Sequence, residues 1–212
     1  GQRLHMRCIP VATASVIYHK FFRENSLQNY DPYLVAAASL YLAAKTEEEN
    51  VSLRDIVNVT YRTLHRSKPP LEMGEAFYSL RDSVSSCELF ILRTLQFKVA
   101  FNHPHKYLLH YLKFLKDWFD PYKWESVPVA RTAWALLRDS YHSNITLKFK
   151  PQHIAIATIQ MALQCYGMEV PLQENTATPW WKVLSEDISE GIISAVVREL
   201  TQMYDLEATI SS

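Results

Sequence analysis

The sequence predicts an all-α protein built from two tandem helical modules. Three observations carry that expectation. Apolar residues recur at helical spacing in long runs, and no stretch alternates as a strand does. Only four glycines occur in 212 residues, far fewer than the turns of an all-β fold consume. A pattern in the first half returns in the second at a nearly constant offset.

The elements follow in order. Pro10 to Arg23 forms a first helix, rich in small and apolar residues. Asp31-Pro32 opens a second, with Asp31 as N-cap and Pro32 as first helical residue, running to about Lys45. Ser52 caps a third, with Asp55 in its first turn, reaching Tyr61. The basic stretch 62–71 contains Pro69-Pro70 and is a loop. A long helix then spans Met73 to Phe97, with the stripe Leu80, Val84, Cys87, Ile91 and Leu95. His103-Pro104 caps and starts the next helix, which runs to Trp118 and is ended by Pro121. Further helices are expected at 127–142, 151–166, 179–184 and 188–204.

The repeat supports a duplicated module of about 100 residues. Pro10-Val11-Ala12 returns as Pro128-Val129-Ala130. At an offset of 119, Pro32 falls on Pro151, Val35 on Ile154, Ala38 on Ala157, Ser39 on Thr158 and Ala43 on Ala162. The modules are expected at 1–99 and 100–212. A full helix precedes Pro128 but only nine residues precede Pro10, so the first module is expected to lack its first helix.

Composition excludes several functions. Lys plus Arg and Asp plus Glu are both 22, so formal charge is zero, against a duplex-binding module. No two glycines lie close enough to cradle a phosphate, which excludes P-loop, dinucleotide and kinase glycine-loop chemistry. Cys8, Cys87 and Cys165 are widely spaced among apolar neighbours, the pattern of buried thiols in a reducing, intracellular setting. No apolar run of about 18 residues and no secretory signal is visible.

Two charges interrupt apolar stripes. Lys45 lies within about 20° of Leu34 on the second helix. Glu88 lies between Leu92 and Leu95 on the long helix. Singly, the first is explained by snorkelling at a helix C-terminus and the second by a stripe edge reaching water. Together they suggest a clamp on the end of a partner's helix, with lysine meeting free carbonyls and glutamate free amides. The second half has Gln164 where the first has Lys45.

These residues resemble the cyclins. Leu42-Ala43-Ala44-Lys45-Thr46-Glu47-Glu48 is similar to the end of the third cyclin-box helix, and 87–97 to the fifth. His103-Pro104-His105 and Trp180-Trp181 resemble the transcription-type cyclins. The resemblance implies two cyclin boxes of about five helices each, and a non-catalytic subunit that binds and activates a cyclin-dependent serine/threonine kinase. The strings 103–112 and 132–142 resemble one branch of that family, and this resemblance implies cyclin-dependent kinase 10 as the partner. It implies Lys45 and Glu88 as polar anchors to backbone beside the kinase's regulatory helix. Leu42, Leu92 and Phe97 are the apolar contacts, and Glu48 a further contact. It implies no cofactor, no metal and a nuclear or cytoplasmic location. The alternative is a two-box transcription-factor scaffold binding DNA or other proteins.

Other constellations are weaker. His103 and His105 lie about 200° apart on a helix with no third ligand, so capping and packing are expected. Asp139-Ser140-Tyr141-His142 holds triad letters, but adjacent helical residues cannot converge. Glu47-Glu48-Glu49 is read as a solvated helix end, and Arg62, His65, Arg66 and Lys68 as a solvated basic loop. Trp180 and Trp181 are expected as core or cleft lining.

Overall fold

The computed structural model describes residues 1–171 and 179–211. Every regular element among them is helical. The chain divides into two compact units, Gly1–Phe101 and Asn102–Ser212. No helix among the described residues is long and apolar enough to cross a membrane.

The first unit holds a short 3-10 turn at Gln2–Leu4 and four α-helices. These are α1 (Cys8–Glu24), α2 (Pro32–Thr46), α3 (Leu53–Leu64) and α4 (Glu75–Thr94). Helix α2 packs against the other three. Its buried Ala37, Ala38, Ala43 and Ala44 are small enough to admit neighbours on several sides. The core is closed by Ile17, Phe21, Ile56, Val57 and Ile91, all sealed from solvent. Burying one such large side chain contributes roughly 1.5–3 kcal/mol.

The starts of α2 and α3 are set as the caps require. The Asp31 carboxylate accepts from the Tyr33 N–H at 2.9 Å, and Ser52 Oγ accepts from the Asp55 N–H at 3.1 Å. Each cap stabilises its helix by about 1 kcal/mol.

The second unit repeats the plan with short inserts. Its main helices are α5 (His105–Lys116), α7 (Val129–Asp139), α9 (Pro151–Cys165) and α11 (Glu190–Ser211). Shorter pieces are α6 (Pro121–Ser126), α8 (Ile145–Lys148) and α10 (Trp180–Leu184). Helix α9 is central, contacting α5, α7 and α11. Side-chain ties recur at the repeat offset. Thr13 donates to Glu47 at 2.6 Å, and Thr132 bonds Tyr166 at 2.8 Å in the matching place.

Some expectations are corrected. Pro121 opens a helix instead of only ending one, because Asp120 caps α6 through the Lys123 N–H. His103 does not cap α5; its ring turns inward to the Tyr141 hydroxyl at 2.7 Å. Cys8 and Cys165 are exposed and Cys87 is half-buried. Cys8 begins α1 and Cys165 ends α9, where side chains leave the packed stripe.

Helix α4 stops at Thr94, short of the expected Phe97, because Gln96 and Phe97 turn left-handed (φ 52° and 59°). The end of α2 is similar. Glu48 is left-handed (φ 53°), and the Glu49 N–H returns to the Ala44 carbonyl at 2.8 Å. The matching position after α9 is Gly167, with φ 60° and the same backbone closure, Met168 N–H to Leu163 carbonyl at 2.9 Å. Left-handed backbone costs any residue with a Cβ about 1 kcal/mol that glycine does not pay. Glu48→Gly is therefore expected to stabilise the chain by roughly 0.5–1 kcal/mol. Urea denaturation checks this; a lower midpoint would show that the glutamate side chain itself holds the turn.

Candidate functional site

The last turn of α2 and the C-terminal half of α4 lie side by side, brought together by the alanines of α2. There Lys45 Nζ donates to both oxygens of Glu88, at 2.8 and 2.9 Å. The two ends differ in environment. The Glu88 side chain is 5% exposed and that of Lys45 is 50% exposed. The carboxylate is thus roofed by the ammonium, which meets solvent at the rim.

Lys45 also lies over the Tyr41 ring, one turn back on the same helix, at 4.2 Å. Burial works against its charge, but the hydrogen bond and attraction of Glu88 outweigh that and raise its pKa. Tyr41 favours the charged form as well, so the ammonium is held between Glu88 and Tyr41. Glu88 is no stripe edge reaching water, as its sequence position alone allowed.

Around this pair the other candidate residues separate. Leu42 is 3% exposed and belongs to the unit's own core, so it supports the surface from beneath. Leu92, one turn beyond Glu88 on α4, is half-buried. Phe97 follows the end of α4 and is 68% exposed, with its backbone left-handed. An aromatic residue in that conformation and that exposure sits at a cost without a burial gain. Glu48 is exposed.

Of the acidic run, only Glu48 is left for outside contacts. Glu47 accepts from Thr13, and Glu49 from Arg7 at 2.6 Å. The sequence reading also missed Leu89, exposed beside Glu88. A stripe drawn for the buried face says nothing about its neighbour on the outer one. Tyr41 was findable, since it stands four residues before Lys45 and so faces it.

The remaining constellations resolve into packing. The triad letters diverge: Asp139 accepts from Tyr204, Ser140 donates to the Leu137 carbonyl, Tyr141 meets His103 and His142 meets Glu207. No group of three His, Cys, Asp or Glu among the described residues could hold a metal. Trp180 donates to Gln160 at 3.2 Å and packs edge-on against Trp181, both half-buried. Arg62, Arg66 and Lys68 are exposed, and His65 packs on Tyr61.

Residues 2–100 match the family described as cyclin, N-terminal domain. Over 202 residues the chain is 32% identical to Cyclin-L1-1 of Arabidopsis thaliana, covering 92% of this chain and 45% of that one. It is 29% identical to Cyclin-L1 of Gallus gallus over 221 residues, covering 99% and 39%. It is 26% identical to Cyclin-K of Homo sapiens over 208 residues, covering 96% and 34%. The chain thus spans less than half the length of these relatives. Its fold matches a chain of the yeast RNA Pol II CTD kinase CTDK-1 complex, with a TM-score of 0.73 at 18% identity over 96% of this chain and 61% of that one. A chain of the CAK complex of Chaetomium thermophilum bound to ATP-gamma-S gives 0.68 at 17%, over 95% and 58%.

Proposed function

We propose that this chain, which carries a cyclin N-terminal domain and is homologous to cyclins L, K and T, is the regulatory subunit of a cyclin-dependent serine/threonine kinase. The observation that carries the reading is the roofed Lys45–Glu88 pair on adjoining helices, with Phe97 exposed at the end of α4. Such a surface suits a helix end. Lys45, half exposed at the rim, can turn its ammonium to a carbonyl, which uncovers Glu88 for an amide, and Leu92 and Phe97 supply apolar area. In this reading the chain regulates the kinase and the kinase does the chemistry. It binds the active arrangement of the kinase's mobile helix better than the inactive one, which sets the kinase's own Lys–Glu ion pair.

The finer assignment is cyclin Q, also called cyclin M, with cyclin-dependent kinase 10 as partner. The strings 103–112 and 132–142 support it. Two cyclin boxes, at 1–99 and 100–212, and a nuclear or cytoplasmic setting belong to the same proposal.

The test is co-purification with cyclin-dependent kinase 10 followed by a kinase assay. A complex with raised kinase activity is expected. Phe97→Ala should keep the fold, since the ring is exposed, and weaken binding by about 2 kcal/mol, roughly thirtyfold. Binding to a different cyclin-dependent kinase would keep the cyclin reading and overturn the finer one. Folded partners that never associate, with salt-sensitive duplex binding instead, would overturn both in favour of the scaffold.

A further inference from the structure

We propose that the outward face of α5 is a second docking surface, fitted to an acidic peptide segment that carries apolar side chains. The inward face of this helix is fully used, by Leu108, Tyr111, Leu112 and Leu115. The outward face carries Lys106, His110 and Lys113 at intervals of four and three residues, all exposed. Leu109 and Phe114 flank that basic ridge, one on each shoulder, and both are exposed. No acidic residue lies within the helix.

Two features separate this face from an ordinary solvated one. In the second unit Lys116, Lys148 and Lys150 have carboxylate partners in Glu125, Glu199 and Asp187, while Lys123 and Lys182, on other elements, have none among the described residues. Lys106 and Lys113 form no ion pair with any described residue; Lys106 lies only over the neighbouring Tyr107 ring, at 5.0 Å. The apolar residues are also built in. Phe114 is held edge-on by Trp118 at 5.5 Å, so its ring is presented instead of swinging freely.

The complement of positive charge with aliphatic and aromatic flanks is a segment with carboxylates and apolar anchors. Lys106 and Lys113 stand about 10 Å apart along the helix, a span that acidic residues one or two turns apart can bridge. Nucleic acid fits less well. Leu109 offers a phosphate or a base edge nothing, and the chain's formal charge is zero.

The experiment selects phage-displayed short peptides on the full chain, with counter-selection on a Lys106→Glu, Lys113→Glu, Phe114→Ala variant. Thermal unfolding of the variant must match the parent; a milder Lys106→Gln, Lys113→Gln variant serves if it does not. Selected peptides are expected to be net acidic with at least one large apolar residue. Their affinity should fall about tenfold or more in the variant and also with rising salt. Selected peptides that are not acidic, or that bind parent and variant alike, overturn the proposal. A single-stranded oligonucleotide that binds through these residues when no peptide does overturns it in favour of nucleic acid.

Discussion

Lys45→Met is expected to destabilise the chain by about 2–3 kcal/mol and to abolish kinase activation. An exposed ion pair contributes only about 0–1 kcal/mol. This pair is not of that kind, because Glu88 is 5% exposed. Losing one partner of a buried pair costs about 3–5 kcal/mol, since the other charge stays buried and unpaired. Lys45 is half exposed, so water can enter where its ammonium stood, and the lower figure follows. Removing both groups relieves that penalty. Lys45→Met with Glu88→Leu should recover most of the stability and none of the kinase activation. Urea denaturation followed by helical circular dichroism gives the first quantity, and the kinase assay the second. A double variant that regains activity would show that the pair serves the fold alone. The pair is insensitive to pH near neutrality from the lysine side. The Lys45 pKa is raised above 10.5, so its contribution is complete below that value and fades only as pH climbs through the folded-state value.

The parts of this site legible in the sequence were those with a local signature. Asp31-Pro32 and Ser52 announce helix starts, because a cap is made by residues adjacent in sequence. Lys45 and Glu88 stood out as charges inside apolar stripes. Their bond to each other did not, because pairing across 43 positions depends on how α2 and α4 pack. The burial of Leu42 was hidden for the same reason: helix α2 is covered on several sides, and one stripe cannot say which side stays open.

Helix ends without glycine were also hidden. The Met73–Phe97 expectation overshot by three residues because neither Gln96 nor Phe97 signals a left-handed turn. Where the signal exists, at Gly167, the end of α9 was placed within one residue. The short α6 and α8 have six and four residues, too few to show a 3.6-residue period.

Acidification is expected to destabilise the second unit through His105. This residue is 4% exposed, stacked on Tyr141 at 5.7 Å and edge-on to Trp134 at 5.2 Å. Its Nδ1 has no hydrogen-bond partner among the described residues. Burial, with the nearby His103 adding to it, lowers its pKa from 6.5 to about 4. The sign follows from which state binds the proton. Between pH 6.5 and 4 the unfolded chain protonates this ring and the folded chain does not. Stability is therefore complete above 6.5 and falls as pH drops toward 4. At pH 4.5 the loss is about 2–3 kcal/mol. His105→Phe keeps a ring between Tyr141 and Trp134 but cannot titrate, and it removes an unpaired buried nitrogen. It should raise stability at pH 7 and flatten the decline between 6.5 and 4.5 by that same amount. All five tryptophans lie beyond residue 101, so their fluorescence reads this unit alone during urea denaturation. If the variant declines as steeply as the parent, the proton uptake that destabilises the unit belongs to another group.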